Sequence, residues 1–308
     1  MTDVEPEGTE QQVRTPWFHL QSLLLFTRSD IKTSVLPQGV FAIGTALAGG
    51  QMTVAEVAVR IPIMLGWSWL HLLVFNIAGQ RLATSILEDS INKPWRPLPS
   101  GRVSPAEAVR LLRPAIATAI IVSVTLGNYP ASAACMIYGW IYNELDGSSA
   151  GPIERNFWNA VGLGCLGWGS AEALLGGHNS ARLGNGALGT WLLLTSAVVF
   201  TTVHAQDMED VVGDRARGRR TAPLVYGEAA ARTLLAVSVL LWSVVCPVFW
   251  NVPHTTAIWY APLCVGVAMA DLTITRWDLA SSKLMFNLWC AWLGLLYILP
   301  VFGLKHAF

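Results

Sequence analysis

Long apolar runs separated by short polar stretches dominate this chain. A helix that crosses a bilayer needs about 20 mostly apolar residues. Nine runs approach that length: Thr33–Gly50, Val57–Leu82, Pro105–Leu126, Pro130–Asp146, Asn156–Gly176, Gly186–Gln206, Ala229–Trp250, Thr255–Thr275 and Leu284–Gly303. They predict an all-α polytopic membrane protein with about nine transmembrane helices, the fourth being the shortest. Trp17–Phe26 is apolar but too short to span, so it is expected to lie at the interface. Met1–Arg14 is polar and acidic, with no basic segment leading into a short apolar core of the signal-peptide kind. Residues 1–16 therefore read as a disordered tail and residues 17–308 as a single transmembrane domain.

Composition sharpens this picture. Of the 308 residues only 13% are charged, 53% are hydrophobic, and the formal net charge is zero. An ordinary soluble domain is about 25% charged. The deficit excludes a disordered chain, a nucleic-acid binder with a basic stripe, and most soluble enzymes. The partners implied are a lipid bilayer and a small ligand. Neither nucleic acid nor an obligate protein partner is indicated. The five cysteines, Cys135, Cys165, Cys246, Cys264 and Cys290, each sit inside an apolar run and form no CxxC pair. They read as small core hydrophobes, not as a zinc site or disulfide framework.

The charges are concentrated in two connections, Ala83–Ser104 and Asp207–Gly227. With nine spans, both lie on the side of the N-terminus. That side holds Arg14, Arg28, Lys32, Lys93, Arg96, Arg102, Arg155, Arg215, Arg217, Arg219, Arg220, Arg276 and Lys283. The other side holds little beyond Arg60, Arg182 and Lys305. The positive-inside rule places the N-terminus and both charged connections in the cytoplasm, at the endoplasmic reticulum membrane if the cell is eukaryotic. Each connection runs from carboxylates through basic residues to a Pro-Leu pair and then a new helix, which suggests an internal repeat. After the first, Ser104-Pro105-Ala106-Glu107 has capping-box spacing with Pro at the first helical position.

Asp207, Asp210 and Asp214 fall at i, i+3 and i+7, on one face of a helix. Three like charges there repel one another, and a cation is needed to hold them. An all-oxygen donor set favours Mg²⁺ or Ca²⁺. Glu88 and Asp89 form a second acidic cluster in the matching part of the first repeat, whereas Glu209 points off the Asp face and reads as a solvated charge. Mg²⁺ on few carboxylates completes its shell with water and substrate phosphates. Lys93, Arg96, Arg102, Arg215, Arg219 and Arg220 suit such a phosphate. The combination reads as a diphosphate–Mg²⁺ clamp at the mouth of an apolar membrane cavity, and an isoprenyl diphosphate fits both halves.

Two stretches carry a family resemblance. Asp207-Met208-Glu209-Asp210-Val211-Val212-Gly213-Asp214-Arg215, followed by Gly218-Arg219-Arg220-Thr221, is similar to the second motif, DxxDxxGDRxxGRRT, of the UbiA superfamily of intramembrane prenyltransferases. Asn92-Lys93-Pro94-Trp95-Arg96-Pro97-Leu98-Pro99-Ser100-Gly101-Arg102 resembles the stretch after its first motif. The resemblance implies nine helices around a central cavity, two Mg²⁺ ions, and ionisation of an allylic diphosphate. It also implies that Asp207, Asp210 and Asp214 bind one Mg²⁺ and Asp89, with Glu88 beside it, the other. Lys93, Arg96, Arg102, Arg215 and Arg219 would hold the diphosphate.

The first motif itself departs from the family's NDxxDxxxD. Counting back from Asp89 gives Arg81, Leu82 and Ser85 where Asn, Asp and Asp are expected. Asn76, Gln80 and Ser85 are the candidate substitutes, the amides by carbonyl coordination. With Leu25-Phe26-Thr27-Arg28-Ser29-Asp30-Ile31-Lys32-Thr33, this altered motif looks like a fungal branch that includes sesquiterpene cyclases as well as prenyltransferases. The leading expectation is thus a terpene cyclase acting on farnesyl diphosphate, the alternative a prenyltransferase with an aromatic or other small acceptor. A transporter is a third reading, from the inverted-repeat plan alone. Trp67, Trp69, Trp140, Trp168, Trp191, Tyr138 and Tyr142 are candidates for an aromatic cavity wall, each also readable as an interface anchor. Asn143, Glu144, Asp146, Asp271 and Asn287 lie near the motif side, His204 one turn before Asp207, and Glu172 toward the far side.

Overall fold

The computed structural model describes residues 14–48, 50, 52–176 and 187–303. Most of the expected N-terminal tail (1–13), together with Arg182 and Lys305, lies outside the described residues. The described residues are almost entirely helical. They form α1 (Pro16–Thr27), α2 (Leu36–Ala48), α3 (Val54–Gln80), α4 (Ala83–Asn92), α5 (Pro105–Leu126), α6 (Tyr129–Asn143), α7 (Pro152–Leu175), α8 (Ala187–Thr202), α9 (Asp207–Arg217), α10 (Ala222–Tyr226), α11 (Glu228–Phe249), α12 (Ala257–Thr275) and α13 (Leu279–Tyr297). A π turn, Ile31–Val35, links α1 to α2, and a 3₁₀ turn, Val203–Gln206, leads from α8 into α9.

Local chemistry explains where these helices begin and end. The Ser104 hydroxyl accepts from the Glu107 N–H and the Glu107 carboxylate accepts from the Ser104 N–H, at 3.3 and 2.8 Å, so the expected capping box opens α5. Thr53 and Glu56 do the same for α3. The α5 helix stops at Gly127, whose φ of 77° suits a residue without Cβ. Five helical segments among the described residues are long and apolar enough to cross a membrane: Val54–Gln80, Pro105–Leu126, Glu228–Phe249, Ala257–Thr275 and Leu279–Phe302. The other expected runs are helical too, but α2, α6 and α8 have 13, 15 and 16 residues. The longer α7 carries Glu154, Arg155 and Glu172.

Both charged connections fold into short helices of their own. Neither acidic motif continues the long helix before it. The α4 helix follows a break at Arg81-Leu82, and α9 follows the 3₁₀ turn. These two helices pack against each other. Asn92 clasps them: its Nδ2 donates to the Asp210 carbonyl at 3.1 Å, and its Oδ1 accepts from the Gly213 N–H at 3.1 Å. A Cβ on Gly213 would run into that amide.

The main core joins α2, α7, α8, α11 and α13 around the fully buried Trp191, Trp250, Trp289 and Trp292. Several indole N–H groups find buried hydroxyls: Trp67 donates to Ser123 at 2.9 Å, Trp289 to Thr202 at 3.0 Å and Trp292 to Ser243 at 2.9 Å. A buried indole needs that partner. Of the tryptophans singled out from the sequence, Trp67 and Trp191 are packed core, while Trp140 is 57% exposed on the outer surface.

Replacing Gly213 with Ala should break the Asn92 clasp and destabilise the protein by about 1–3 kcal/mol through overpacking. Thermal unfolding in detergent will show a lowered midpoint. An unchanged midpoint would mean that α4 and α9 dock by other contacts.

Candidate active site at the mouth of the bundle

The α9 helix presents Asp207, Asp210, Asp214 and Arg217 on one face, at i, i+3, i+7 and i+10. The carboxylates do not meet at one point, as the sequence pattern suggested. Each faces a basic side chain from another element or from the loop that follows. The Asp207 Oδ1 accepts from Arg155 of α7, from Nε at 3.2 Å and Nη2 at 2.9 Å. Asp210 accepts from Lys93 on both oxygens, at 2.9 and 2.7 Å. Asp214 accepts from Arg219 at 3.2 Å. The repulsion expected among the three is relieved by the protein's own cations. Two oxygens remain, Asp207 Oδ2 and Asp214 Oδ2, buried and without a hydrogen-bond partner.

Across the mouth, α4 supplies the first-motif acids. Glu88 accepts from Arg217 at 3.0 Å and from Arg219 at 2.7 Å. Asp89, 2% exposed, accepts from Arg96 on both oxygens, at 2.8 and 3.1 Å. Arg96 also donates to Ser29 at 2.7 Å and to Asp30 at 3.1 Å. Arg217 donates to Ser85 at 2.7 Å. The Asn76 amide donates to the Phe26 carbonyl and to Asp30, at 2.9 and 2.8 Å. Gln80 donates to the same Phe26 carbonyl at 2.8 Å, and its Oε1 is buried without a partner. Among the described residues no three acidic, histidine or cysteine side chains gather closely enough to hold a metal by themselves.

Burial sets the titration of this network. Desolvation pushes Asp214 up to about 7, with Arg155 and Arg219 opposing and Asp207 adding to the rise. Desolvation also raises Asp89, against the pull of Arg96. Burial opposes the charge on Lys93, but Asp210 outweighs it and holds the ammonium above its ordinary value.

From this mouth a cavity runs inward between α3, α6 and α7. It reaches from Gln80 to His71 along α3, nine residues and so roughly 13 Å at the helical rise. Its wall turns from charged to apolar on the way. Leu72, Phe75, Cys135, Leu163 and Leu166 line the interior. Phe75, Tyr138 and Tyr142 form an aromatic cluster, with Phe75 stacked on Tyr138 at 5.3 Å. Gly162 makes room for that cluster, since a Cβ there would collide with the Tyr138 ring.

Most of the sequence-predicted residues meet at this mouth. Two do not. Arg102 points to α1, donating to Ser22 at 2.8 Å, the Phe18 carbonyl at 2.9 Å and Gln21 at 3.0 Å, with its guanidinium 4.0 Å from the Phe18 ring centre. Arg215 is exposed on the outer side of α9, one residue past Asp214 and so about a quarter turn off its face. Arg217, three residues past Asp214, occupies the inward position. Glu209 is half-buried rather than solvated, and desolvation raises its pKa, with the nearby Lys93, Lys32 and Lys283 opposing. Asn143 lines the cavity, but Glu144 pairs with Arg81, Asp271 is exposed and Asn287 accepts from Lys32. His204 faces the Ala231 carbonyl, and Glu172 is buried in α7 away from the mouth.

Three site residues escaped the sequence reading. Arg155, 5% exposed, was legible only as a topology charge. A lone arginine facing the interior of a membrane bundle is itself a functional signal. Asp30 stands on the α1–α2 junction, far from either motif in sequence. Arg217 was signalled by its spacing from Asp214.

A helical membrane bundle with an apolar cavity and an acidic–basic mouth defines a class of intramembrane proteins built to receive an amphiphile by its charged end. The chain belongs to the UbiA prenyltransferase family, whose model matches residues 42–289. It is 31% identical to fumagillin beta-trans-bergamotene synthase of Aspergillus fumigatus, over 94% of both chains. It is 28% identical to somaliensene A/B synthase of Streptomyces somaliensis, over 74% of this chain and 73% of that one. Among solved structures it is similar to a UbiA homolog from Archaeoglobus fulgidus bound to GPP and Mg²⁺. The TM-score is 0.57 at 16% identity, covering 90% of this chain and 99% of that one.

Two outcomes follow from the buried charges. Arg155→Met leaves Asp207 buried and unpaired, so it should cost about 3–5 kcal/mol, readable as a lowered unfolding midpoint. Asp214 should hold its proton below pH 7 and lose it above. An infrared band of a protonated carboxyl group should grow as pH falls through about 7 and be absent from Asp214→Asn.

Proposed function

We propose that this protein is a Mg²⁺-dependent intramembrane enzyme that ionises farnesyl diphosphate and cyclises the resulting cation. The observation that carries the reading is the continuity of a charged mouth with an apolar, aromatic interior in one cavity. The mouth suits a diphosphate and the interior suits its hydrocarbon tail. The depth of roughly 13 Å is of the order of an extended farnesyl chain. The similarity to two terpene synthases, one over almost the whole chain, supports cyclisation.

The residues divide the work. Lys93, Arg96, Arg217 and Arg219 line the cavity on its charged side and would grip the diphosphate oxygens. Asp207 and Asp214 each keep a buried oxygen free, and an oxygen donor set of this kind suits Mg²⁺. Asp210 stands between them on the same face, held by Lys93. Bound there, Mg²⁺ supplies Lewis-acid stabilisation of the negative charge on the departing diphosphate. The side-chain cations add preorganised stabilisation of the same charge. The apolar wall keeps out water that would quench the cation. The faces of Phe75, Tyr138 and Tyr142 attract positive charge on the folding tail. The excess of Lys and Arg on the side of the mouth supports a cytoplasmic orientation for it, at the endoplasmic reticulum of a eukaryotic cell.

Transfer of the prenyl chain to an aromatic or other small acceptor is the competing reading. The chain also resembles polyprenyl transferase eriF of Hericium erinaceus, at 29% identity over 68% of this chain and 70% of that one.

Membranes containing the protein, incubated with farnesyl diphosphate and Mg²⁺ and no acceptor, should yield a cyclic sesquiterpene by gas chromatography–mass spectrometry. Product that appears only when a phenolic acceptor is added would replace cyclisation with transfer. Asp210→Ala and Asp89→Ala should each abolish diphosphate release, by at least about 100-fold for loss of an electrostatic element of this kind, while the protein stays in the membrane. Full activity in either would overturn the assignment of the mouth.

A further inference from the structure

The two motif helices share one mouth, but their carboxylates differ in what they still have to offer. On α4 the acids are saturated. Both oxygens of Asp89 accept from Arg96, and the two oxygens of Glu88 are divided between Arg217 and Arg219. Ser85, which stands where the family's motif has a carboxylate, accepts from Arg217. Asp30 enters from the α1–α2 junction, and it too is held by Arg96 and by Asn76. Gln80 Oε1 is buried and unpartnered, but it is a neutral amide oxygen. It brings no charge to hold a divalent ion.

On α9 Asp210 is likewise held on both oxygens, by Lys93, but its two neighbours on that face differ. Asp207 Oδ2 and Asp214 Oδ2 are buried carboxylate oxygens with no partner. Such groups call for an explanation in a folded protein, an ion being one. The charge count agrees with the hydrogen bonds. Asp30, Glu88 and Asp89 meet Arg96, Arg217 and Arg219, and this group is neutral by itself. Asp207, Asp210 and Asp214 meet only Arg155 and Lys93, plus a share of Arg219. The unbalanced negative charge lies at α9.

We propose that this chain binds a single divalent ion, at the α9 carboxylates, and that Arg96, Arg217 and Arg219 stand as fixed cations where the family's first motif would seat a second. The inference rests on the diphosphate-ionising reading above. Loss of the carboxylates at positions 82 and 85 is then not a weakened metal site. It is the exchange of a mobile ion for a guanidinium group, always charged and able to grip phosphate oxygens in a fork: Arg96 and Arg219 belong to the motif stretches, and Arg217, at a variable position of the second motif, is the added cation beside Ser85. Asp30, Glu88 and Asp89 act as positioning residues for those guanidinium groups.

The test is metal stoichiometry on the full-length protein in detergent. Mn²⁺ is titrated alone and then with the unreactive thiolo analogue of farnesyl diphosphate, and bound ion is counted by equilibrium dialysis and electron paramagnetic resonance. One Mn²⁺ per chain, with no Mn–Mn coupling in the presence of the analogue, is the expected result. Asp207→Asn or Asp214→Asn should lower the affinity at least tenfold, and Asp89→Asn should leave the stoichiometry at one. Two coupled Mn²⁺ per chain in the unaltered protein would overturn the proposal and leave the ionising function standing. No bound Mn²⁺, with farnesyl diphosphate left unconsumed, would overturn both. The count on the unaltered chain decides the matter even if a variant fails to fold.

Discussion

Burying charge at the rim of an apolar bundle is the constraint on which this structure depends. A carboxylate removed from water must find a cation or give up its charge. At the mouth, Asp30, Glu88, Asp207 and Asp210 meet that requirement through side chains from distant parts of the chain, and Asp89 and Asp214 through Arg96 and Arg219 in the loops that follow them. Arg155 ties α7 to α9. Arg96 ties α4 to the α1–α2 junction, and Lys93 ties the end of α4 to α9. The short motif helices bury few large apolar side chains of their own. Charge pairing, with the Asn92 clasp, fixes where they sit. Asp214 shows the cost of sharing: it is fully buried and shares Arg219 with Glu88, and desolvation pushes it up to about 7.

Behind the rim, the opposite requirement holds. An interior that receives a reactive hydrocarbon cation must be free of water and of stray nucleophiles. The bundle lines it mostly with aliphatic side chains and aromatic rings, although Cys135 and His71 share the chamber, and several indole N–H groups are capped by hydroxyls inside the core. Trp67 and Trp289 illustrate this, each spending its one donor on a buried Ser or Thr. The boundary between rim and interior is sharp. On α3 it falls between Gln80 and Phe75, little more than one helical turn.

Much of this was legible in the sequence, for physical reasons. Apolar runs of span length admit few alternatives to a membrane helix, and all nine of the expected runs are helical where described. The i, i+3, i+7 spacing of Asp207, Asp210 and Asp214 did identify one functional face. What the spacing did not show is that each carboxylate also meets its own cation. Residues on one helical face point the same way, but they lie more than 4 Å apart along the axis, so each can meet a separate partner. Arg102 was misjudged because a basic residue after a motif can serve packing as well as catalysis, and the face of Phe18 holds it. Arg215 and Arg217 are two residues apart, and only the helical register tells them apart. Asp30 and Arg155 are joined to the site by tertiary contact alone. No local pattern announces such residues. The residue that seemed to weaken the first motif, Ser85, turns out to have a defined partner in Arg217.

The glycine under Tyr138 has a consequence for how such proteins diversify. Gly162 shapes the cavity wall by what it lacks, about two helical turns beyond Arg155 on α7. A single methyl added there would collide with the Tyr138 ring, and the push would pass through Tyr142 to Arg155, which donates to the Tyr142 hydroxyl at 2.9 Å. The contour of the chamber and the ionising rim are therefore coupled through Tyr142, and changes to the wall that spare Tyr138 are the ones that leave the rim unaltered.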